Sequence, residues 1–386
     1  MMIQSRSAIT GATLIVCALS SHGFGQTAKA SEPVPEPVAV AERVADHYIA
    51  TQKPGIHYAH LLTLYGLVRL AEAAGREDYD EYVDRTLAKV IAEGNVQSRN
   101  FRNYAMGGLP ATYRYVQGRP AGDKALLRQY VHQLIHEHPR DSQGVVCHPF
   151  RGDERIWVDC LMAVCPFLSM AAVVLDEPEL HHKSIGQYLG MEAALFNERP
   201  GLFHQSKIGT TGSVSVDTWG RGNGWALIGL AELLRYLPED HPQREAMIGR
   251  LRRLMETLEP LQAPSGLWRQ NLVTADSYEE TSGSGLILYA LAMGLRMGWL
   301  PESMHPMAER AWAGLATTVD AQGAVHGTCI GTLGWGDSPL EFWLDRPTQT
   351  DDSHSFGPVL LAAAEMHLLR AQRGPHRAAP AESGCE

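Results

Sequence analysis

Apolar residues along this chain recur at i, i+3, i+4 and i+7, and convincing strand alternation is nearly absent. The pattern predicts twelve helical segments, at about 36–52, 56–74, 77–93, 103–117, 121–138, 155–174, 178–197, 221–237, 242–258, 281–298, 301–318 and 354–373. Stop signals fit these limits. Gly75 closes the second segment, Pro238 follows the eighth, and Pro301 opens the eleventh in its first turn.

The links carry more information than the segments. After even-numbered segments they are short, as at Gly75-Arg76. Before even-numbered segments they are mostly long, reaching about 35 residues between the last two. Helices therefore come in hairpins whose long loops gather at one end. Six hairpins closed on themselves give an all-α fold, the (α/α)6 toroid, with an inner and an outer ring. Even-numbered segments suit the inner ring, because Gly222-Asn223-Gly224 and Ser282-Gly283-Ser284-Gly285 let neighbouring axes approach closely. The charged segment around residues 244–253 suits the outer one. An open α-solenoid uses the same hairpins but calls for a fixed-period repeat, and none is visible.

The first 30 residues read as a secretion signal. Arg6 precedes an apolar run at residues 8–19, and Ala28-Lys29-Ala30 supplies small residues for cleavage. Residues 31–386 then form one catalytic domain with a short N-terminal lead-in and a C-terminal tail, in a periplasmic or secreted protein. No later apolar run is long enough to span a bilayer, so membrane insertion is not expected. Lipidation at Cys17 and the oligomeric state stay open. The remaining cysteines (Cys147, Cys160, Cys165, Cys329 and Cys385) are odd in number and lack paired spacing. They read as buried thiols with at most one disulfide, not as a zinc site.

A formal net charge of -10 opposes a nucleic-acid partner. No phosphate-cradling glycine loop follows a strand, and no metal-ligand cluster appears, so no cofactor is expected. His57 and His60 have one-turn spacing but no companion ligands, and Asp351-Asp352 lacks calcium-loop spacing.

Candidate chemistry falls at the starts of even-numbered segments, hence at one mouth of the ring. Asp159 stands among Ile156, Trp157, Val158, Cys160, Leu161 and Met162. A carboxyl group in apolar surroundings favours its protonated form and can act as a general acid; an Asp at that point also suits a helix cap. Cys147-His148-Pro149 leads into it. Trp219-Gly220-Arg221-Gly222-Asn223-Gly224-Trp225 places two indoles around a guanidinium. Indoles stack on sugar faces and Arg grips carboxylates, although a tight turn with core Trp residues has the same composition. His204 is either a donor to ligand oxygens or a structural histidine. Glu280 is either a second catalytic carboxylate or a first-turn residue favoured by the helix dipole.

These blocks, with Glu280-Thr281-Ser282-Gly283-Ser284 and Gly266-Leu267-Trp268-Arg269-Gln270, make the chain resemble glycoside hydrolase family 105, the unsaturated rhamnogalacturonyl hydrolases. The unsaturated glucuronyl hydrolases of family 88 are its relatives. The resemblance runs from about residue 40 to about 373 and implies the same toroid. It implies removal of a 4,5-unsaturated uronic acid from the non-reducing end of lyase-made oligosaccharides, with Asp159 protonating the vinyl ether and no cofactor. By it, Trp157, Trp219, Arg221 and Trp225 match sugar-contacting positions, and His148 and His204 match pocket histidines. Arg221 is the choice for the substrate carboxylate. Where the family commonly has another aspartate, this chain reads Asn100-Phe101-Arg102-Asn103-Tyr104, so Asn103 offers a hydrogen bond but no charge. Two rival functions are an ordinary inverting glycosidase using Asp159 and Glu280, and a sugar-binding toroid without turnover.

Overall fold

The computed structural model describes residues 34–92, 108–119, 123–150 and 153–373. They fall within one compact unit that begins at Val34. The expected leader, Cys17, Cys385, Asn100 and Asn103 lie outside the described residues.

The predicted helices are present, each within a few residues of its expected span. The outer series is α1 (Pro37–Thr51), α3 (Glu77–Ala92), α5 (Lys124–His132), α7 (Glu179–Leu195), α9 (Arg244–Leu258) and α11 (His305–Ala316). The inner series is α2 (Tyr58–Ala74), α4 (Gly108–Val116), α6 (Asp159–Leu175), α8 (Gly220–Tyr236), α10 (Thr281–Arg296) and α13 (Phe356–Arg373), with a one-turn α12 (Glu341–Leu344) in the last long loop. Each inner helix packs on the next, and α13 packs back on α2, so the ring closes and the solenoid is excluded.

Small residues permit this closure. A Cβ on Gly224 of α8 would lie 2.7 Å from Leu286 of α10, and one on Gly285 of α10 would lie 2.8 Å from Pro358 of α13. The inner helices are consequently buried nearly all round, while outer helices such as α9 bury one stripe.

Two expectations are corrected. Residues 155–157 are not helical, because they belong to β2 (Asp153–Trp157), which pairs with β1 (His148–Phe150) and β5 (Ser206–Ile208). Further two-residue pairs join β3 (Phe196–Asn197) to β4 (Leu202–Phe203), β6 (Trp268–Arg269) to β7 (Glu279–Glu280), and β8 (Thr328–Cys329) to β9 (Thr348–Gln349). All of these strands lie in the long loops leading into inner helices, and they staple those loops at one mouth. Pro301 does not open α11. It caps a 3-10 turn, Glu302–Met304, that precedes it. Cys147, Cys160, Cys165 and Cys329 are buried thiols, as expected, and no disulfide joins them.

The bore of the ring is stopped in layers. Tyr58 of α2 meets Trp225 of α8 edge-on at 6.1 Å, and these helices stand on opposite sides of the ring, so the contact crosses the axis. Deeper, Tyr65 donates to Glu232 at 2.7 Å, Tyr289 also donates to Glu232, and Arg69 and Arg296 each reach Glu365 at 2.7 Å. Burial alone would raise the Glu365 carboxyl, but the two guanidinium groups hold it below its ordinary range. Such buried ion pairs specify an arrangement more than they stabilise it. These layers close the bore below the loop-bearing mouth.

Candidate active site

Asp159 is the first residue of α6. Val158 takes the N-cap position, so the capping alternative for Asp159 does not hold. The residue is 4% exposed, in line with the desolvation expected of an acid held among apolar neighbours. β2 delivers it: Trp157 pairs with Ser206, and Val158 N–H donates to Gln205 O at 2.9 Å.

His148, on β1, lies against Trp157 with ring centroids 5.5 Å apart, and its Nε2 lies 3.1 Å from Cys160 Sγ. On the other side of Trp157 stands the half-buried Trp335, at 6.0 Å, with the Arg155 guanidinium 4.6 Å above its ring. Trp157, Trp219 and Trp225 are each at most 1% exposed. They act as dry walls, and the aromatic residues with solvent-facing surface are Trp335 and Tyr58.

The α8 start joins the α6 start directly. A Cβ on Gly222 would lie 2.9 Å from the Trp219 ring and 3.2 Å from Val158. Asn223 binds both segments to the loop between them: its amide accepts from Phe203 N–H at 2.8 Å and donates to Phe203 O and Trp219 O at 3.0 Å. That clasp places His204, whose Nδ1 donates to Asp217 O at 2.7 Å, so Nε2 of the neutral ring is the acceptor.

Arg221 is fully buried. Its Nη1 donates to Ser282 Oγ (3.0 Å) and Cys329 O (2.8 Å), and its Nη2 donates to Ile330 O (3.1 Å). Its guanidinium also covers the Trp219 ring at 4.7 Å. The side chain thus fastens the residue 328–330 segment to α8 and α10, an occupation different from the expected grip on a substrate carboxylate. Glu280 takes the structural alternative. It N-caps α10, with Oε1 accepting from Ser282 N, Ser282 Oγ and Cys329 N and Oε2 accepting from Gly283 N. Both oxygens are committed, which leaves the inverting rival without its base. His57 packs against His60 and His354, and no group of three or more metal-ligating side chains exists among the described residues.

Sequence reasoning missed Asp217, Gln205, Tyr58 and Trp335. Buried Asp217 accepts from Ser215 Oγ at 2.6 Å and Trp219 N at 3.0 Å, and burial raises its carboxyl against those hydrogen bonds. Its signal was an acid two residues before a helix start, where a carboxylate holds the turn. Gln205 binds the last long loop by donating to Thr332 O (2.7 Å) and accepting from Gly334 N (2.9 Å) and Trp343 Nε1 (2.9 Å).

Three buried histidines make stability sensitive to acid. His138, His181 and His354 are each pushed down to about 4, first by burial and then by neighbouring charge. Each folded value lies below the ordinary 6.5, so the unfolded chain binds protons that the native state refuses. Their stabilisation is whole above about pH 6.5 and is lost as pH falls toward about 4. Urea midpoints should be level from about pH 7 to 8 and fall steadily below about 6.5. A level profile through that lower range contradicts the assignment.

Comparison with known proteins agrees with this geometry. The sequence profile described as Glycosyl Hydrolase Family 88 matches residues 38–370. Two proteins named unsaturated 3S-rhamnoglycuronyl hydrolase are similar. The one from Formosa agariphila is 28% identical over 55% of this chain and 57% of its own length; the one from an Alteromonas species is 30% identical over 54% and 50%. The matched region therefore spans about half the length of these relatives. A solved glycoside hydrolase of family 105 from C. acetobutylicum superposes with a TM-score of 0.74 at 25% identity, covering 84% of this chain and 98% of its own. With the profile match covering most of its length, this chain belongs to glycosyl hydrolase family 88.

Proposed function

We propose that this protein removes a 4,5-unsaturated uronic acid from the non-reducing end of oligosaccharides released by a polysaccharide lyase. The observation that carries the reading is the buried carboxyl group of Asp159, at the start of an inner helix that meets the start of α8, while Glu280 is consumed as a helix cap. Membership of family 88 and the names of the two relatives support the substrate class.

The chemistry needs only one acid. Protonated Asp159 delivers its proton to C4 of the C4=C5 vinyl ether, and positive charge spreads over C5 and the ring oxygen. Water adds at C5 and returns a proton to the Asp159 carboxylate. The resulting hemiketal opens, and the glycosidic link breaks with release of the aglycone sugar. A buried acid is matched to this step, because burial favours the neutral form of a carboxyl group, the form the step consumes. His148 and His204 serve as hydrogen-bonding partners for sugar oxygens, and the Trp157, Trp219 and Trp225 indoles keep water scarce. The buried positive charge of Arg221 suits an anionic ligand.

The leader-like pattern of residues 1–30 supports a periplasmic or secreted enzyme. N-terminal sequencing of the exported protein, with cleavage after Ala30, tests that placement.

The function is tested with lyase digests of pectin, glycosaminoglycan and algal polysaccharides beside their saturated counterparts. Decay of the ultraviolet absorbance of the conjugated alkene is the expected result. Cleavage confined to saturated uronosides would falsify the reading.

A further inference from the structure

Gln205 and Ser206 tie together two parts of the mouth that are far apart in the chain. Their main chain serves the acid. Gln205 O accepts from Val158 N–H at 2.9 Å, one residue before Asp159, and Ser206 pairs with Trp157 across β5 and β2. The side chain of Gln205 goes to the last long loop alone. Its Oε1 accepts from Gly334 N–H and Trp343 Nε1–H, both at 2.9 Å, and its Nε2 donates to Thr332 O at 2.7 Å. Ser206 Oγ adds a donation to Gly334 O at 3.1 Å. Both Gln205 and Trp343 are fully buried.

The next residue on that loop is Trp335, whose ring lies against Trp157 at 6.0 Å. Gly334 sits hard on Trp343, since a Cβ there would run into the indole. The two members of the Trp157–Trp335 pair are thus held from one point, the first through main chain and the second through side chains. A single amide suits that point. Two donors and one acceptor converge on it, and glutamine carries an acceptor and a donor at the same tip.

We propose that Gln205 is a positioning residue for the reaction, holding the segment that delivers Asp159 and the loop that carries Trp335 in one fixed relation. The inference rests on Asp159 as the proton donor. Misplacement of about 1 Å, caused by a change outside the reacting groups, can cost about a hundredfold in rate. Loosening the tie therefore reaches kcat more than KM.

Two variants test this. Gln205→Met keeps the length of the side chain and removes its hydrogen bonds. On an unsaturated disaccharide its kcat should fall by about tenfold or more, with KM within about threefold of wild type. Amide hydrogen exchange over residues 330–343 should quicken with it. Gln205→Glu supplies a readout that loss of packing would not move. Burial favours the neutral carboxyl group, which has an O–H for Thr332 O and an acceptor for Gly334 and Trp343; the ionised form only accepts and is repelled by Thr332 O. Its kcat, taken relative to wild type at each pH, should stay within about threefold near pH 5 and fall toward that of Gln205→Met by about pH 9.

A kcat for Gln205→Met within about threefold of wild type, or a Gln205→Glu ratio that does not change with pH, overturns the proposal. Should Gln205→Met fail to fold, the Gln205→Glu ratio decides alone. Should wild type turn over no unsaturated sugar, the hydrolase reading falls and exchange decides the tie separately. Relative to wild type, exchange over residues 330–343 in Gln205→Glu that quickens with rising pH upholds the tie, and exchange equal to wild type at every pH overturns it.

Discussion

Asp159→Asn should reduce turnover of unsaturated substrates by at least about a thousandfold, within the range a positioned general acid contributes. The substitution keeps the size of the side chain and its place at the first position of α6, and it removes the one proton the alkene requires. Substrate affinity should survive, because Asn still hydrogen-bonds and the surrounding indoles are untouched. Stopped absorbance decay together with calorimetric binding to the variant separates chemistry from capture. A variant that keeps more than about a tenth of wild-type kcat shows that another group supplies the proton. One that never turned over as wild type and binds normally identifies the toroid as a lectin-like receptor.

Arg221→Ala should be the most damaging change to the mouth itself. It removes donors to Ser282 Oγ, Cys329 O and Ile330 O and leaves Glu280, 1% exposed and 3.8 Å from Nη1, without its nearest positive charge. Breaking a buried pair from one side costs about 3–5 kcal/mol. A melting temperature lower by several degrees is expected, together with protease sensitivity in the segment around residues 328–330. Arg221→Lys should recover only part of this, since one ammonium cannot replace a planar fork reaching several carbonyls. If Arg221 instead held the substrate carboxylate as its main task, stability would stay near wild type and KM alone would rise. That outcome would withdraw the fastening role.

How much was legible in the sequence divides along physical lines. Helices of fifteen or so residues repeat their apolar signal over several turns, so α2, α6, α8 and α10 declared themselves, and the alternation of short and long links disclosed the ring. Strands of two to five residues complete too few periods to show alternation. Trp157 was consequently read as helical when it sits on β2. Asp159 was legible because an acid inside an unbroken apolar run is conspicuous. Its environment was legible only in part: Tyr58, Gln205 and Trp335 come from the starts and loops of distant elements, where nothing local marks them. Arg221 illustrates the opposite hazard. Its type and neighbours announced ligand binding, while its partners, Cys329 and Ile330, lie more than a hundred residues away and could be found only in three dimensions. The axial layer was invisible for a similar reason. Arg69, Glu232 and Glu365 lie on apolar helices far apart in sequence, and only closure of the ring brings them together.

That axial layer has a consequence for traffic. With Tyr58 and Trp225 meeting across the lumen, and ion pairs sealing the depth below them, nothing can thread the ring from one face to the other. A polymer can offer only its tip, and whatever is cut must back out through the doorway it came in by. Under the proposed function, successive cuts on one strand would each require release and recapture, a distributive mode of trimming.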